Sequence, residues 1–167
     1  LNQIAFSGLD ELRKHLIERT SLNSNGVKEV DILKDLRLHK VKKMIDDHLR
    51  AYCSELKFHV RDYHIENWFS LFKKGNYAHI HHHGSVDIAG VYYYKTNEKD
   101  GDIFFEPPLP QLKQSKIFYN HSAPWSHAPK EGKLMIFPGW LNHGVSQNFT
   151  NDDRISISWN IKFKKKK

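Results

Sequence analysis

Cysteine is nearly missing from this chain: Cys53 is the single one in 167 residues. One thiol excludes an intramolecular disulfide and argues against a cysteine-built zinc cluster. It goes with the expectation of a reducing, cytoplasmic compartment. Long apolar runs are missing as well. Nothing approaches the roughly 20 residues that a membrane helix needs, and the mean hydropathy is −0.66. No charged-then-apolar leader follows Leu1, so neither export nor membrane contact is expected. Acidic residues are in deficit, 19 against 26 lysines and arginines, for a formal charge of +7. That excess favours an acidic substrate or a polyanion over a basic one. Five of the lysines (Lys162, Lys164, Lys165, Lys166 and Lys167) crowd the end of the chain. Residues 164–167 read as a solvated basic tail rather than a nucleic-acid clamp.

The length suits one domain, 1–167, with a sizeable core. Residues 1–56 read as helical support. Ser7 can cap a helix carrying Leu9, Leu12, Leu16 and Ile17, and Gly26 ends it. A second periodic stretch carries Val30, Leu33, Leu36, Val41, Ile45, Leu49 and Tyr52. From residue 57 the period changes. Strand-like pieces fall at 58–63, 68–72, 76–83, 86–94, Ile103–Phe105, Leu134–Phe137 and 154–163. Pro107, Pro108 and Pro110 interrupt regular structure, and 111–130 reads as a surface excursion. Helices followed by seven or eight short strands predict an α+β fold. Its β part, 57–163, is a sandwich or jelly roll with the N-terminal helices packed on one sheet.

What the chain has in plenty is histidine, 12 in all. Residues 79–83 read His-Ile-His-His-His, and a lone His143 follows 60 residues after His83. Strand alternation would turn His79, His81 and His83 to one face, with Ile80 and His82 on the other. Two histidines from that face and a third from a distant strand make a facial triangle. It leaves coordination positions open, as oxygen chemistry at Fe(II) requires. A carboxylate is the usual partner in such triads, and Asp87 is the acidic residue close by. The ion is therefore held by three histidines, or by two and Asp87. A His-x-His pair alone is weak, since most histidines are surface or satisfied core residues. The ordered set gains weight from Arg154, which opens a strand with Arg154, Ser156, Ser158 and Asn160 on one face. Arginine with a hydroxyl two residues on suits a carboxylate. The alternative for that face is a wet edge strand.

These residues resemble the Fe(II)- and 2-oxoglutarate-dependent oxygenases. The resemblance runs through His81-His82-His83, Gly90-Val91-Tyr92-Tyr93, Gly101 to Pro107, Ala128 to Val145, and Arg154 to Asn160. It covers roughly 68–163, and is strongest to a small prolyl-hydroxylase-like group of marine bacteria and their phages. It implies a double-stranded β-helix, with Fe(II), O2 and 2-oxoglutarate as co-substrate and ascorbate as a supporting reductant. It implies that His81 and His143 ligate iron, and that Arg154 with Ser156 grips the distal carboxylate of 2-oxoglutarate. Tyr93 stands where related prolyl hydroxylases place a tyrosine on that carboxylate. The superfamily has Asp or Glu where this chain has His83, so His81, His83 and His143 are the expected ligands, with Asp87 as the alternative. No catalytic residue beyond the ligands is expected.

The reaction implied is hydroxylation, with a prolyl residue of a peptide or protein as substrate. Location in a bacterial or phage-infected cell goes with the resemblance. Two other readings compete. One is a nucleobase-modifying oxygenase of the same fold, which the charge allows but which lacks a clear basic-aromatic groove. The other is a non-enzymatic β-sandwich binding module stabilised by a closed four-ligand zinc site.

Overall fold

The computed structural model describes residues 31–109 and 124–164, together with 111, 114 and 116. The expected first helix, with Ser7 and Leu9 to Ile17, lies outside the described residues. Two 3-10 turns, Ile32–Lys34 and Leu36–Leu38, lead into helix α1, His39–Glu55. Val41, Ile45, Leu49 and Cys53 recur every four residues in α1 and are all buried, so they form one stripe. Its other side carries the ion pairs Lys43–Asp47 and Arg50–Asp46. No helix among the described residues is long and apolar enough to cross a membrane.

Among the described residues eight strands follow: β1 Tyr63–Phe72, β2 Ala78–His81, β3 Ile88–Lys95, β4 Ile103–Phe105, β5 Trp125–His127, β6 Leu134–Pro138, β7 His143–Val145 and β8 Arg154–Phe163. They form two four-stranded sheets, ordered β1-β8-β3-β6 and β2-β7-β4-β5. Every pairing is antiparallel. This is the expected jelly roll, with a helix packed on one sheet. Several strands differ from expectation. The pieces at 58–63 and 68–72 become the single strand β1. Only Ala78–His81 of the 76–83 stretch is strand. Trp125–His127, inside the expected excursion, pairs with β4, and β7 is an additional strand.

Alternation along β8 sorts its residues into two layers. Ile155, Ile157, Trp159 and Ile161 join the α1 stripe and Tyr92 in one core. Arg154, Ser156, Ser158 and Asn160 face the opposite way, into the space between the sheets. There Ala89, Val91 and Tyr93 of β3 meet Ile103, Phe105 and Phe137 in a second core. The helix-side packing is close. The Trp159 indole lies over Gly90, where a Cβ would come within 2.1 Å of it.

Candidate metal centre

His81 and His143 are directly opposed in the β2–β7 ladder. His83 lies just past the end of β2, where its backbone N–H donates to the Gly139 carbonyl at 2.8 Å. The ligand atoms of His81, His83 and His143 all lie within 4.8 Å of one another. The Nε2 atoms of His83 and His143 are 3.2 Å apart. An ion about 2.1 Å from each imidazole nitrogen sets neighbouring nitrogens about 3 Å apart, so the spacing fits. His81 Nδ1 contacts the His79 carbonyl at 2.7 Å, and His143 Nδ1 contacts the Leu141 carbonyl at 2.8 Å. A carbonyl only accepts, so each Nδ1 carries a proton, which leaves Nε2 as the nitrogen that can bind a metal.

Burial, followed by the charges of His81 and His82, brings the pKa of His83 down to about 4. Burial likewise takes His143 to about 4, against the pull of its bond to Leu141 and with a smaller contribution from the other histidines. Both rings are therefore neutral at neutral pH, the form that binds a metal. Their surroundings are apolar: the Phe137 ring lies 4.7 Å from His143 and that of Phe105 5.9 Å.

The structure separates the other candidates from this cluster. The β2–β7 register shifts between Ala78 and His81. That bulge breaks the alternation expected for 79–83, and the His79 ring packs edge-on against Tyr77 instead. His82 Nδ1 accepts from the Gly84 N–H. The Asp87 carboxylate accepts from the Phe163 N–H at 2.7 Å, and Asp87 is not one of the clustered groups.

Beside the histidines a cavity runs between the sheets, lined among others by Trp68, Phe72, Tyr93 and Arg154. Arg154 is 2% exposed. Its guanidinium stacks 4.4 Å from the Phe72 ring centroid and donates to the Gly101 carbonyl at 2.9 Å. Among the described residues no carboxylate forms an ion pair with it. Burial lowers the Arg154 pKa, while Tyr93, Asp100 and Asp102 act to raise it. Burial pushes Tyr93 up to about 12, with Arg154 opposing. Its phenol is therefore a donor.

Six buried side-chain polar atoms of the described residues have no hydrogen-bond partner. Five of them, on Trp68, Tyr93, Arg154, Ser156 and Asn160, lie on the inner face of the first sheet; only the Trp159 indole faces the helix. An unpaired buried polar group costs free energy, so five on one face mark a surface shaped for a polar ligand. Tyr93 and Ser156 are opposed in register. Arg154 Nε, Tyr93 Oη and Ser156 Oγ are all donors without acceptors, which suits a carboxylate.

Residues 66–160 match a family model described as "Putative 2OG-Fe(II) oxygenase". The chain belongs to the 2OG-Fe(II) oxygenase family. The family's chemistry implies Fe(II) and 2-oxoglutarate, and both the histidine cluster and the unpaired donors suit them. No curated protein matches the sequence. Among solved structures the chain is similar to a prolyl-4-hydroxylase from Pseudomonas putida, with TM-score 0.68 and 14% identity over 98% of this chain and 83% of that one. It is similar to SnoN, a non-heme α-ketoglutarate-dependent epimerase from nogalamycin biosynthesis, with TM-score 0.67 and 11% identity over 98% and 74%. Prolyl 4-hydroxylase from Phytophthora capsici gives TM-score 0.60 and 15% identity over 95% and 55%. At these identities the likeness is one of fold, the double-stranded β-helix.

Three parts of the site had gone unread in the sequence. Phe72 shares a face with Trp68 and Ser70 by alternation, but nothing local shows that its ring meets Arg154. Phe137 ends a recognised strand, but nothing local shows that its ring meets His143. The Gly101 carbonyl carries no side-chain signal at all. Asn148 is buried and ties the 148–152 turn to the Phe72 carbonyl. Trp140 is exposed.

Proposed function

We propose that this oxygenase hydroxylates a prolyl residue in a peptide or protein, with Fe(II) held by His81, His83 and His143 and 2-oxoglutarate as co-substrate. The observation that carries the reading is the single cavity shared by three clustered imidazoles and a buried arginine with no anionic partner. The distal carboxylate of 2-oxoglutarate accepts from Arg154, Tyr93 and Ser156. That anchor turns the other end of the molecule towards the histidines. Phe72, stacked on the guanidinium, keeps water from competing for it. Fe(II) held by these histidines would supply the coupling of two oxidations by O2: 2-oxoglutarate to succinate and CO2 with one oxygen atom, and a substrate C–H to C–OH with the other. The apolar rings of Phe105 and Phe137 keep the imidazoles neutral and the reaction dry. The similarity to two prolyl 4-hydroxylases supports the prolyl substrate.

Succinate release is the direct measurement. With Fe(II), 2-oxoglutarate and ascorbate, succinate should form, and proline-containing peptides should raise its rate. Arg154→Ala should abolish 2-oxoglutarate binding. Absence of succinate under every condition, together with unchanged 2-oxoglutarate binding in Arg154→Ala, would overturn the reading. Stimulation by nucleic acid rather than by peptides would move the substrate to a nucleobase.

A further inference from the structure

Trp68 brings to the cavity a donor that the reading above leaves unused. Its side chain lines the same cavity as the three histidines and Arg154. Its indole Nε1 is buried and has no hydrogen-bond partner. The hydroxyls nearest in register are engaged with each other. Ser158 stands directly opposite Trp68 on β8, and its Oγ pairs with that of Ser70 at 3.2 Å. A buried N–H left unpaired costs free energy, so the indole, like Arg154 and Tyr93, is made for a ligand atom.

Position says which atom. Ser158 is two residues along β8 from Ser156 and four from Arg154. At about 3.3 Å per residue, the Trp68–Ser158 pair lies roughly 7 Å along the strand from the Tyr93–Ser156 pair. The Trp68 ring centroid is 6.5 Å from that of His83. The indole therefore stands beside the histidines, towards the end of the cavity away from Arg154. Donors line both ends, and among the described residues no carboxylate lines the cavity. That suits a ligand with an anionic group at each end.

We propose, resting on the co-substrate reading above, that Trp68 is a second binding residue for 2-oxoglutarate: its indole N–H donates to the C1 carboxylate, the end that Arg154 does not hold. C1 is the carbon lost as CO2. Succinate, one carbon shorter, keeps the group that Arg154 grips and has none for the indole. Trp68 thus separates co-substrate from product and favours release of the latter.

Calorimetric titration of Zn(II)-loaded protein, which does not turn over, tests this. Trp68→Phe removes the N–H and keeps a ring. It should weaken 2-oxoglutarate binding about tenfold, the loss of one hydrogen bond to a charged group, and leave succinate binding unchanged. A merely structural role would weaken both acids alike, and their affinity ratio, read on one sample, cancels any loss of folded protein. The unaltered protein gives a second reading by NMR. Among the indole N–H signals of its four tryptophans, one should move with 2-oxoglutarate and stay in place with succinate. An unchanged affinity ratio in Trp68→Phe, or no indole signal that distinguishes the two acids, would overturn the role of Trp68 only. An unaltered protein that binds neither acid would overturn the co-substrate reading with it.

Discussion

Tyr93 separates stability from binding at a single atom. Its hydroxyl is buried without a partner, which costs about 1–3 kcal/mol when no ligand is bound. Tyr93→Phe should therefore raise the ligand-free melting temperature while weakening 2-oxoglutarate binding severalfold; calorimetry and a binding titration read the two effects. The histidines respond to pH in a defined direction. His83 and His143 fall from an ordinary 6.5 to about 4 in the folded protein. The unfolded chain thus binds more protons between those values, so the stabilisation is full above about 6.5 and is lost as pH falls towards 4. Metal-free protein should lose melting temperature over that window. His143→Gln should flatten the dependence, and an unchanged pH profile in that variant would contradict the assignment. At this scale strand alternation and residue order pick out His81, His83, His143, Arg154 and Ser156 as candidates, while the roles given to them and to Tyr93 come from the resemblance. The Gly101 carbonyl was not legible, because a backbone acceptor leaves no pattern in residue type.

At the scale of elements, two glycines make opposite use of close approach. Gly90 lets Trp159 settle on the helix side of β3. Gly101, at φ +108°, has a Cβ position 2.3 Å from the Ser146 carbonyl, and its own carbonyl holds Arg154. Alanine at either position should cost about 1–3 kcal/mol through overpacking. Only Gly101→Ala should also weaken 2-oxoglutarate binding, measured on protein that remains folded. The strands themselves were readable where alternation runs long, as in β3 and β8. They were lost where it is short or broken. β7 is three residues around Gly144, too brief for a period. The bulge between Ala78 and His81 removes His79 from the inner face, and a bulge is a property of the paired ladder rather than of one strand's sequence. β5 is Trp-Ser-His, exposed throughout, so no apolar alternation marks it.

For the whole molecule, the two cores divide the labour. α1 and the first sheet enclose one; the two sheets enclose the other, together with the site. Ile45 is 1% exposed in the helix-side core. Ile45→Ala should cost about 2–5 kcal/mol yet leave the affinity of the folded fraction for metal and 2-oxoglutarate unchanged. A ligand that binds only the folded state raises the melting temperature by mass action. 2-Oxoglutarate should thus stabilise Ile45→Ala as much as the unaltered protein, and a lost ligand response would show that the layers are coupled.

β8 carries both tasks on one strand. Its odd positions, Ile155 to Ile161, join the helix-side core, while its even positions, Arg154 to Asn160, face the space between the sheets. Inheritance can act on the two sets separately. Substitutions at 158 and 160 can reshape the cavity over a foundation that the intervening residues keep intact, so change of specificity need not begin with loss of the fold.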